Sequence, residues 1–447
     1  MCVTSLFTTR VYSTAPDYVN LPPQDLWRKT FPPVNRTVSH RVSLANPKTA
    51  AQVANAFVPS DSRDKTIVEA FPGPGQLTRA LLALPKTRIK QLIVLEKEPS
   101  YLAYLKPLEA TDSRLKVIEL GGELWITYLK LQKDGVLGHI DTQPWDTMHS
   151  QLQFISHLPN NVSGEQLLAQ LLRSIPDRQW LFKYGRVPLS FMMSETLWDR
   201  VTGTKDRIRC KLSIISAAVA QSQLALPMKA TEPYNDHFHP IPTAYALKMH
   251  ALNKSPKSHG NPFVAVNFRP SQHQVIAPGL LDKWDYCLRH LYVHRAKPIK
   301  TALPFLAPNA QTLLTGISGS EPGLINPSTI VRNLSLNDWK LLVKAFDEWP
   351  FAPEELSVTD AIMGREEKHD STCDIFTLLL RSNLQPKMLT SGQRTTKNVK
   401  SGKCSFPLYS LAVSPPASIC LDLTTRMLPR IFTLLDFPTE IRMLRRQ

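Results

Sequence analysis

The sequence contains no C-x-x-C pair; its six cysteines (Cys2, Cys210, Cys287, Cys373, Cys404 and Cys420) are widely scattered. That scatter argues against a zinc site or any other metal centre and against a disulfide framework, and it fits a reducing compartment. There is no run of about 18 apolar residues, so neither a spanning helix nor a membrane partner is expected. Acids are in deficit: 37 Asp and Glu face 53 Lys and Arg, a formal net charge of +16. Such an excess favours a polyanionic partner, although a basic compartment would also select it. Apolar content is ordinary for a globular chain, and 447 residues allow one to three domains.

The first 16 residues, MCVTSLFTTRVYSTAP, lack acids altogether and carry several hydroxyl side chains and one arginine. That composition suits a mitochondrial presequence, and Arg10-Val11-Tyr12-Ser13 looks like a processing site. Residues 1–40 are therefore expected to be presequence and linker, with Pro22, Pro23, Pro32 and Pro33 marking the linker.

What the chain does have is organised around Thr66 to Leu84, TIVEAFPGPGQLTRALLAL. A strand-like run, Ile67-Val68-Glu69-Ala70, meets a turn rich in Gly and Pro. Leu77, Ala80, Leu81 and Leu84 then recur at helical spacing. Strand, glycine turn and helix open a nucleotide-binding βαβ unit, in which bare backbone lets a ligand approach a helix N-terminus. A Pro-Gly turn also joins strands to helices where no ligand binds. Gln91 to Glu96 reads as a second buried strand ending in an acid, about twenty residues past the glycines, where Rossmann-like sites accept hydrogen bonds from ribose hydroxyls. Further strands are expected at 115–120, 152–155, 180–194 and, antiparallel, at 262–268; helices are expected around 100–108 and from Ser163, capped by a Ser163–Gln166 box. Alternating strands and helices predict an α/β fold, a doubly wound Rossmann-like sheet over 41–270.

A small helical domain is expected over 271–370. In it, Trp284 to Arg295 interleaves aromatic and basic residues, a mixture that either stacks on bases or forms a half-buried aromatic face. Ser335 and Asp338 should open a helix with Trp339, Leu342, Val343 and Phe346 on one side. Residues 371–447 read as a basic, irregular tail: from 381 onward, eleven Lys or Arg face three acids (Asp422, Asp436 and Glu440), a net of +8 and half the chain's excess.

Several of these stretches together resemble the ribosomal RNA adenine N6-dimethyltransferase family. Its glycine motif, E-I-G-P-G-x-G-x-L-T, is similar to Glu69 through Thr78. Glu96 matches its ribose acid, Arg207 through Ser213 resembles its basic segment, and Phe238 through Pro242 resembles its F-x-P-x-P element. The resemblance is closer to the fungal mitochondrial transcription initiation factors, a branch that works with the single-subunit mitochondrial RNA polymerase. Trp180 through Val187, Trp284-Asp285-Tyr286 with Arg289-His290-Leu291, and Glu348-Trp349-Pro350-Phe351 with Pro353 look like that branch's motifs. The matches run from about 66 to 356.

The resemblance implies a methyltransferase-like fold and, by family, S-adenosyl-L-methionine at Glu69, Gly73, Gly75 and Glu96. The departures argue that this site is weak or vestigial. Phe71 stands where the methylases have a first glycine, on which the cofactor's methionine part would pack. Gly121-Gly122 stands where they carry an adenine-holding Asp, with Glu123 as a nearby substitute. Their catalytic N-[LI]-P-[YF] reads His157-Leu158-Pro159-Asn160 here, which keeps the Leu-Pro turn but loses the stacking ring.

Two expectations follow. One is a factor of the mitochondrial matrix that helps the polymerase recognise and melt promoters and that binds the melted non-template strand, with RNA as a further ligand. Its candidate nucleic-acid contacts are Lys183, Tyr184, Arg186, Lys205, Arg207, Arg209, Lys211, Arg289 and Arg295, with Trp198 as a further stacking surface. The alternative is a working S-adenosylmethionine-dependent rRNA adenine dimethylase.

Overall fold

The computed structural model describes residues 19–33, 38–204, 207–243, 260–318, 325–353 and 356. The expected presequence, Lys205 and the basic tail lie outside the described residues. Residues up to Ala352 belong to one compact unit.

The core is a seven-stranded sheet. Its strands are β1 (Lys65–Ala70), β2 (Ile89–Leu95), β3 (Leu115–Ile118), β4 (Leu152–His157), β5 (Leu189–Ser194), β6 (Ala220–Leu224) and β7 (Phe263–Pro270), in the order β3-β2-β1-β4-β5-β7-β6. The first five run parallel; β7 is antiparallel to both of its neighbours. Central strands covered on both faces need near-continuous apolar runs. β4 and β5 meet that need with every residue buried, whereas the edge strand β6, AQSQL, exposes most of its length.

Helices wrap the sheet: α1 (Pro47–Phe57), α2 (Gln76–Leu82), α3 (Pro99–Thr111), α4 (Trp125–Lys133), α5 (Val162–Arg173), α6 (Glu195–Thr202) and α7 (Lys211–Val219). The Asn46 side chain caps α1, accepting from Lys48 N at 2.9 Å and Thr49 N at 3.3 Å, with Pro47 pre-set at the first helical position. Two long helices follow the sheet, α8 (Leu281–Val293) and α9 (Leu336–Asp347). At α9 the reciprocal Ser335–Asp338 box forms as expected, with bonds of 3.1 and 2.7 Å, and Trp339, Leu342, Val343 and Phe346 are buried.

The structure corrects the sequence reading in three places. Residues 22–33 are not a linker: Trp27 and Phe31 are core residues with edge-to-face rings 5.4 Å apart, and the indole Nε1 donates to Pro22 O at 2.9 Å. Helix α5 is capped by Asn161, which accepts from Gly164 N at 3.2 Å, so the helix begins before Ser163 and the Ser163–Gln166 box does not form. The 180–194 stretch is not one strand. Trp180–Tyr184 is a 3-10 turn broken at Gly185 (φ 131°), and extended pairing starts only at Leu189. A side chain at Gly185 would lie 2.9 Å from Gln143 O, so bare backbone lets the two segments approach. Of the two readings of Trp284 to Arg295, the structure bears out the aromatic face packed inward: Trp284 is buried, Tyr286 stacks on Phe346 at 5.4 Å and Tyr292 on Trp339 at 5.7 Å.

Candidate nucleotide site and nucleic-acid interface

In a doubly wound sheet, ligands bind beyond the carboxyl ends of the strands, where the strand order reverses. Here that point lies between β1 and β4. The glycine turn leaves β1 with Gly73 at φ +62° and Gly75 at φ +90°, and Gly75 hands the chain to α2. Phe71 is also left-handed, at φ +57°. A bulky residue pays about 1–2 kcal/mol for that conformation. The backbone therefore has the glycine shape while carrying a benzyl ring, and the ring is buried.

Glu69, on β1, is fully buried beneath the turn. Its Oε2 accepts from Thr78 Oγ1 at 2.8 Å, and Oε1 has no hydrogen-bond partner. Burial pushes this carboxyl up to about 8; the Thr78 bond opposes the shift and the Glu96 charge adds to it.

Glu96, just past β2, occupies the place expected for a ribose acid, yet its oxygens are already engaged. Oε1 accepts from the N–H groups of Lys97 (3.0 Å) and Glu98 (3.1 Å), and the Arg41 guanidinium binds both oxygens, at 3.3 and 2.7 Å. The guanidinium carbon lies 4.9 Å from the Phe71 ring centre and 5.2 Å from that of Tyr101. A Cβ at Gly73 would stand 2.4 Å from Ser43 Oγ. Tyr101, buried in this group, is pushed up to about 12 by desolvation. These residues do not fit the cofactor as the family motif requires, because the Arg41 guanidinium already engages both carboxylate oxygens that a diol would use, and Phe71 puts a side chain where the motif has bare backbone.

At the adenine end, a Cβ on Gly122 would meet Ala70 Cβ at 2.5 Å. The loop is pinned by Thr127 Oγ1 and Tyr128 Oη, which donate to the carbonyls of Gly121 (2.7 Å) and Gly122 (2.8 Å). Glu123 pairs with Lys97.

His157 ends β4. Its ring lies 5.4 Å from Phe263 and 6.1 Å from Phe238, and Nε2 is buried with no partner. Burial, with the Arg41 charge second, pulls its pKa down to about 3, so the imidazole is neutral. Leu158 N donates to Met192 O at 2.9 Å and Asn160 N to His40 O at 2.9 Å, while the Asn160 Nδ2 is buried without a partner. Pro159 O would lie 2.2 Å from a Cβ at Gly164, so α5 packs directly on the Leu-Pro turn.

A family model described as ribosomal RNA adenine dimethylase matches residues 41–348. The chain belongs to this ribosomal RNA adenine dimethylase family. Among its relatives, mitochondrial transcription factor 1 of Saccharomyces paradoxus is 25% identical over 65% of this chain and 82% of its own length. Dimethyladenosine transferase 1, mitochondrial, of Vermamoeba vermiformis is 24% identical over 66% of this chain and 85% of its own. Among solved structures, 23S rRNA methyltransferase ErmE aligns at 14% identity and a TM-score of 0.42, over 68% of this chain and 99% of that one. The sequence resemblance is thus borne out, and the protein is a mitochondrial factor of the dimethylase family with the family's α/β fold.

The expected nucleic-acid contacts do not form one surface. Lys183, Tyr184 and Arg186 precede β5, so they sit at the amino ends of the parallel strands, opposite the crevice. Arg186 is a buckle rather than an open cation, donating to Pro270 O (3.0 Å) and Asp146 O (2.9 Å). Lys211 is ion-paired at 3.0 Å to the buried Asp285, which also takes Arg173 at the end of α5. Arg289 stands on the same helix as Asp285, with its guanidinium 5.9 Å from the Tyr286 ring. Arg209, Arg295 and Trp198 are half-buried, and Arg207 is exposed. Among the described residues no His, Cys, Asp and Glu group could hold a metal ion, and no helix is long and apolar enough to cross a membrane.

Sequence reasoning missed Arg41, Ser43 and Tyr101, and it met Thr78 only as the last residue of the glycine motif. Arg41 and Ser43 lie just past the segment set aside as linker, and nothing periodic marks them.

Proposed function

We propose that this dimethylase-family member is a transcription initiation factor of the mitochondrial matrix. It helps the single-subunit RNA polymerase recognise and melt promoters, and its methyltransferase-like fold holds the separated non-template strand. The observation that carries this reading is the state of the former catalytic motif. His157 is neutral, buried and walled by Phe238 and Phe263, and the fourth position offers the Asn160 amide instead of a ring. A flipped adenine would lose a stacking plane worth about 1–3 kcal/mol, and in place of an asparagine oxygen it would meet a neutral imidazole buried beside two rings. The yeast relative's name supports the same reading.

The physical means are backbone charge and stacking. Arg207 and Arg209 are the described contacts best placed to meet phosphates, since Arg186 and Lys211 are engaged internally. Transcription by the polymerase from a linear mitochondrial promoter should depend on this protein. Affinity for a pre-melted promoter should fall severalfold in an Arg207→Ala/Arg209→Ala variant, and the salt dependence should flatten by about 1.4 log units per log of salt, as loss of two single-strand phosphate contacts requires. Unchanged affinity and slope would remove these residues from the interface.

The second reading is an S-adenosylmethionine-dependent rRNA adenine dimethylase. It draws on the surviving Gly73, Gly75 and Glu96 and on the dimethyladenosine transferase relative. Methyl transfer to an adenine of a small-subunit rRNA hairpin would establish it over the first.

A further inference from the structure

One short strap, residues 40–44, touches four of the inherited motifs around the crevice. Arg41 holds the ribose acid Glu96. Ser43 Oγ fills the space over Gly73. Ser43 and Leu44 pair with His239 and Phe238 of the F-x-P-x-P element. The His40 carbonyl accepts from Asn160 N, fixing the Leu-Pro turn. The strap is anchored in turn: Val42 and Leu44 are core residues, and Gln24 Nε2 donates to Ala45 O at 2.7 Å.

We propose that Arg41 is the resident ligand of Glu96, and that this strap serves the chain as a built-in replacement for a nucleoside cofactor. A carboxylate offers about four acceptor sites. Four donors converge on Glu96: two backbone N–H groups and both arms of the guanidinium fork. Three of them fall on Oε1 and one on Oε2, and the Glu96 side chain is only 1% exposed. Both oxygens are therefore engaged from within the chain and closed off from solvent, in the bidentate geometry that a planar guanidinium supplies best. Phe71 belongs to the same arrangement. The ring that intrudes on the methionine end also offers its face to the guanidinium, and Tyr101 offers a second. In a cofactor-dependent enzyme the ligand joins the glycine turn to the ribose acid and the catalytic turn. Here one covalently attached side chain and its neighbours make those connections, so the crevice keeps its shape at any concentration of S-adenosylmethionine. Arg41 is in this sense a positioning residue, and the inference stands whichever nucleic acid the crevice takes.

The test uses the full chain and four variants: Arg41→Ala, Arg41→Lys, Glu96→Gln and the double Arg41→Ala/Glu96→Gln. Arg41→Ala strands a buried carboxylate, so its Tm should fall by several degrees. Millimolar guanidinium chloride, far below denaturing levels, should restore part of that loss, whereas sodium chloride at the same ionic strength should not. The double variant should melt above Arg41→Ala and ignore guanidinium. If Arg41→Ala does not fold, the double variant melting above Arg41→Lys carries the same conclusion, because Lys keeps the charge but loses the fork. Melting of Arg41→Ala with wild type, or rescue by sodium chloride as well as by guanidinium, overturns the proposal. So does a rise in wild-type Tm with S-adenosylhomocysteine that Glu96→Gln abolishes, since a cofactor diol would then be reaching the acid despite Arg41.

Discussion

Replacing Glu69 with Gln should remove a pH dependence that the wild-type fold carries at its centre. Glu69 is buried under the glycine turn with one oxygen on Thr78 and the other without a partner, and its pKa rises from the ordinary 4.5 to about 8. Between those values the folded chain keeps a proton that the unfolded chain releases. The stabilisation is therefore complete below pH 4.5 and drains away as pH climbs through 8. At 1.36 kcal/mol per unit the full change is about 5 kcal/mol, a large part of a typical folding free energy of about 5–15 kcal/mol. Gln matches Glu in size, keeps an acceptor for Thr78 and cannot ionise. Urea unfolding, followed by tryptophan fluorescence from about pH 5 to about pH 8.5, should show the two proteins converging at the acid end. At the alkaline end the variant should be ahead by several kcal/mol. Parallel midpoints across that range would refute the reasoning, because they would mean that water or a rearranged neighbour already solvates the carboxylate.

Two further substitutions probe the catalytic turn. His157, pulled down to about 3 from an ordinary 6.5, gives stability that is complete above pH 6.5 and lost as pH falls toward 3. His157→Leu should therefore hold about 2 kcal/mol at pH 5 that wild type forfeits; an unchanged acid-unfolding midpoint would contradict this. Gly164→Ala gains up to about 1 kcal/mol of helix propensity, but its methyl would meet Pro159 O at 2.2 Å. Overpacking of that kind costs about 1–3 kcal/mol, so the net effect should be a lower Tm and weaker retention of pre-melted promoter. A Tm at or above wild type would show that the Leu-Pro turn yields freely.

Local signals in the sequence were enough for six strands of the sheet and for the glycine turn and acid of the crevice, but not for the edge strand β6, whose AQSQL carries no apolar pattern. The βαβ opening, the acid at the end of β2 and the Ser335–Asp338 box each rest on residues a few positions apart. What escaped depends on distant partners. Arg41 and Glu96 are separated by 55 positions, and nothing near Arg41 announces a guanidinium that will be buried. Trp27 opens a helix of only four residues, too short to show a period, Phe31 caps its end, and tertiary packing makes both core. Asn161 out-competed Ser163 as a cap because the helix begins one residue after it, on the Leu-Pro turn. The basic residues were legible as charge but not as surface: Arg186 and Lys211 look alike in sequence to Arg207, and only the fold reveals that carbonyls and Asp285 hold them.

Asp285 has a consequence for how the helices beyond the sheet are seated. It is one anion with two claimants, Arg173 from the end of α5 and Lys211 from the close of the basic segment. Its carboxylate therefore draws α5, α7 and α8 to a single buried point, and the ammonium that helps seat α8 is one the basic segment does not present outward.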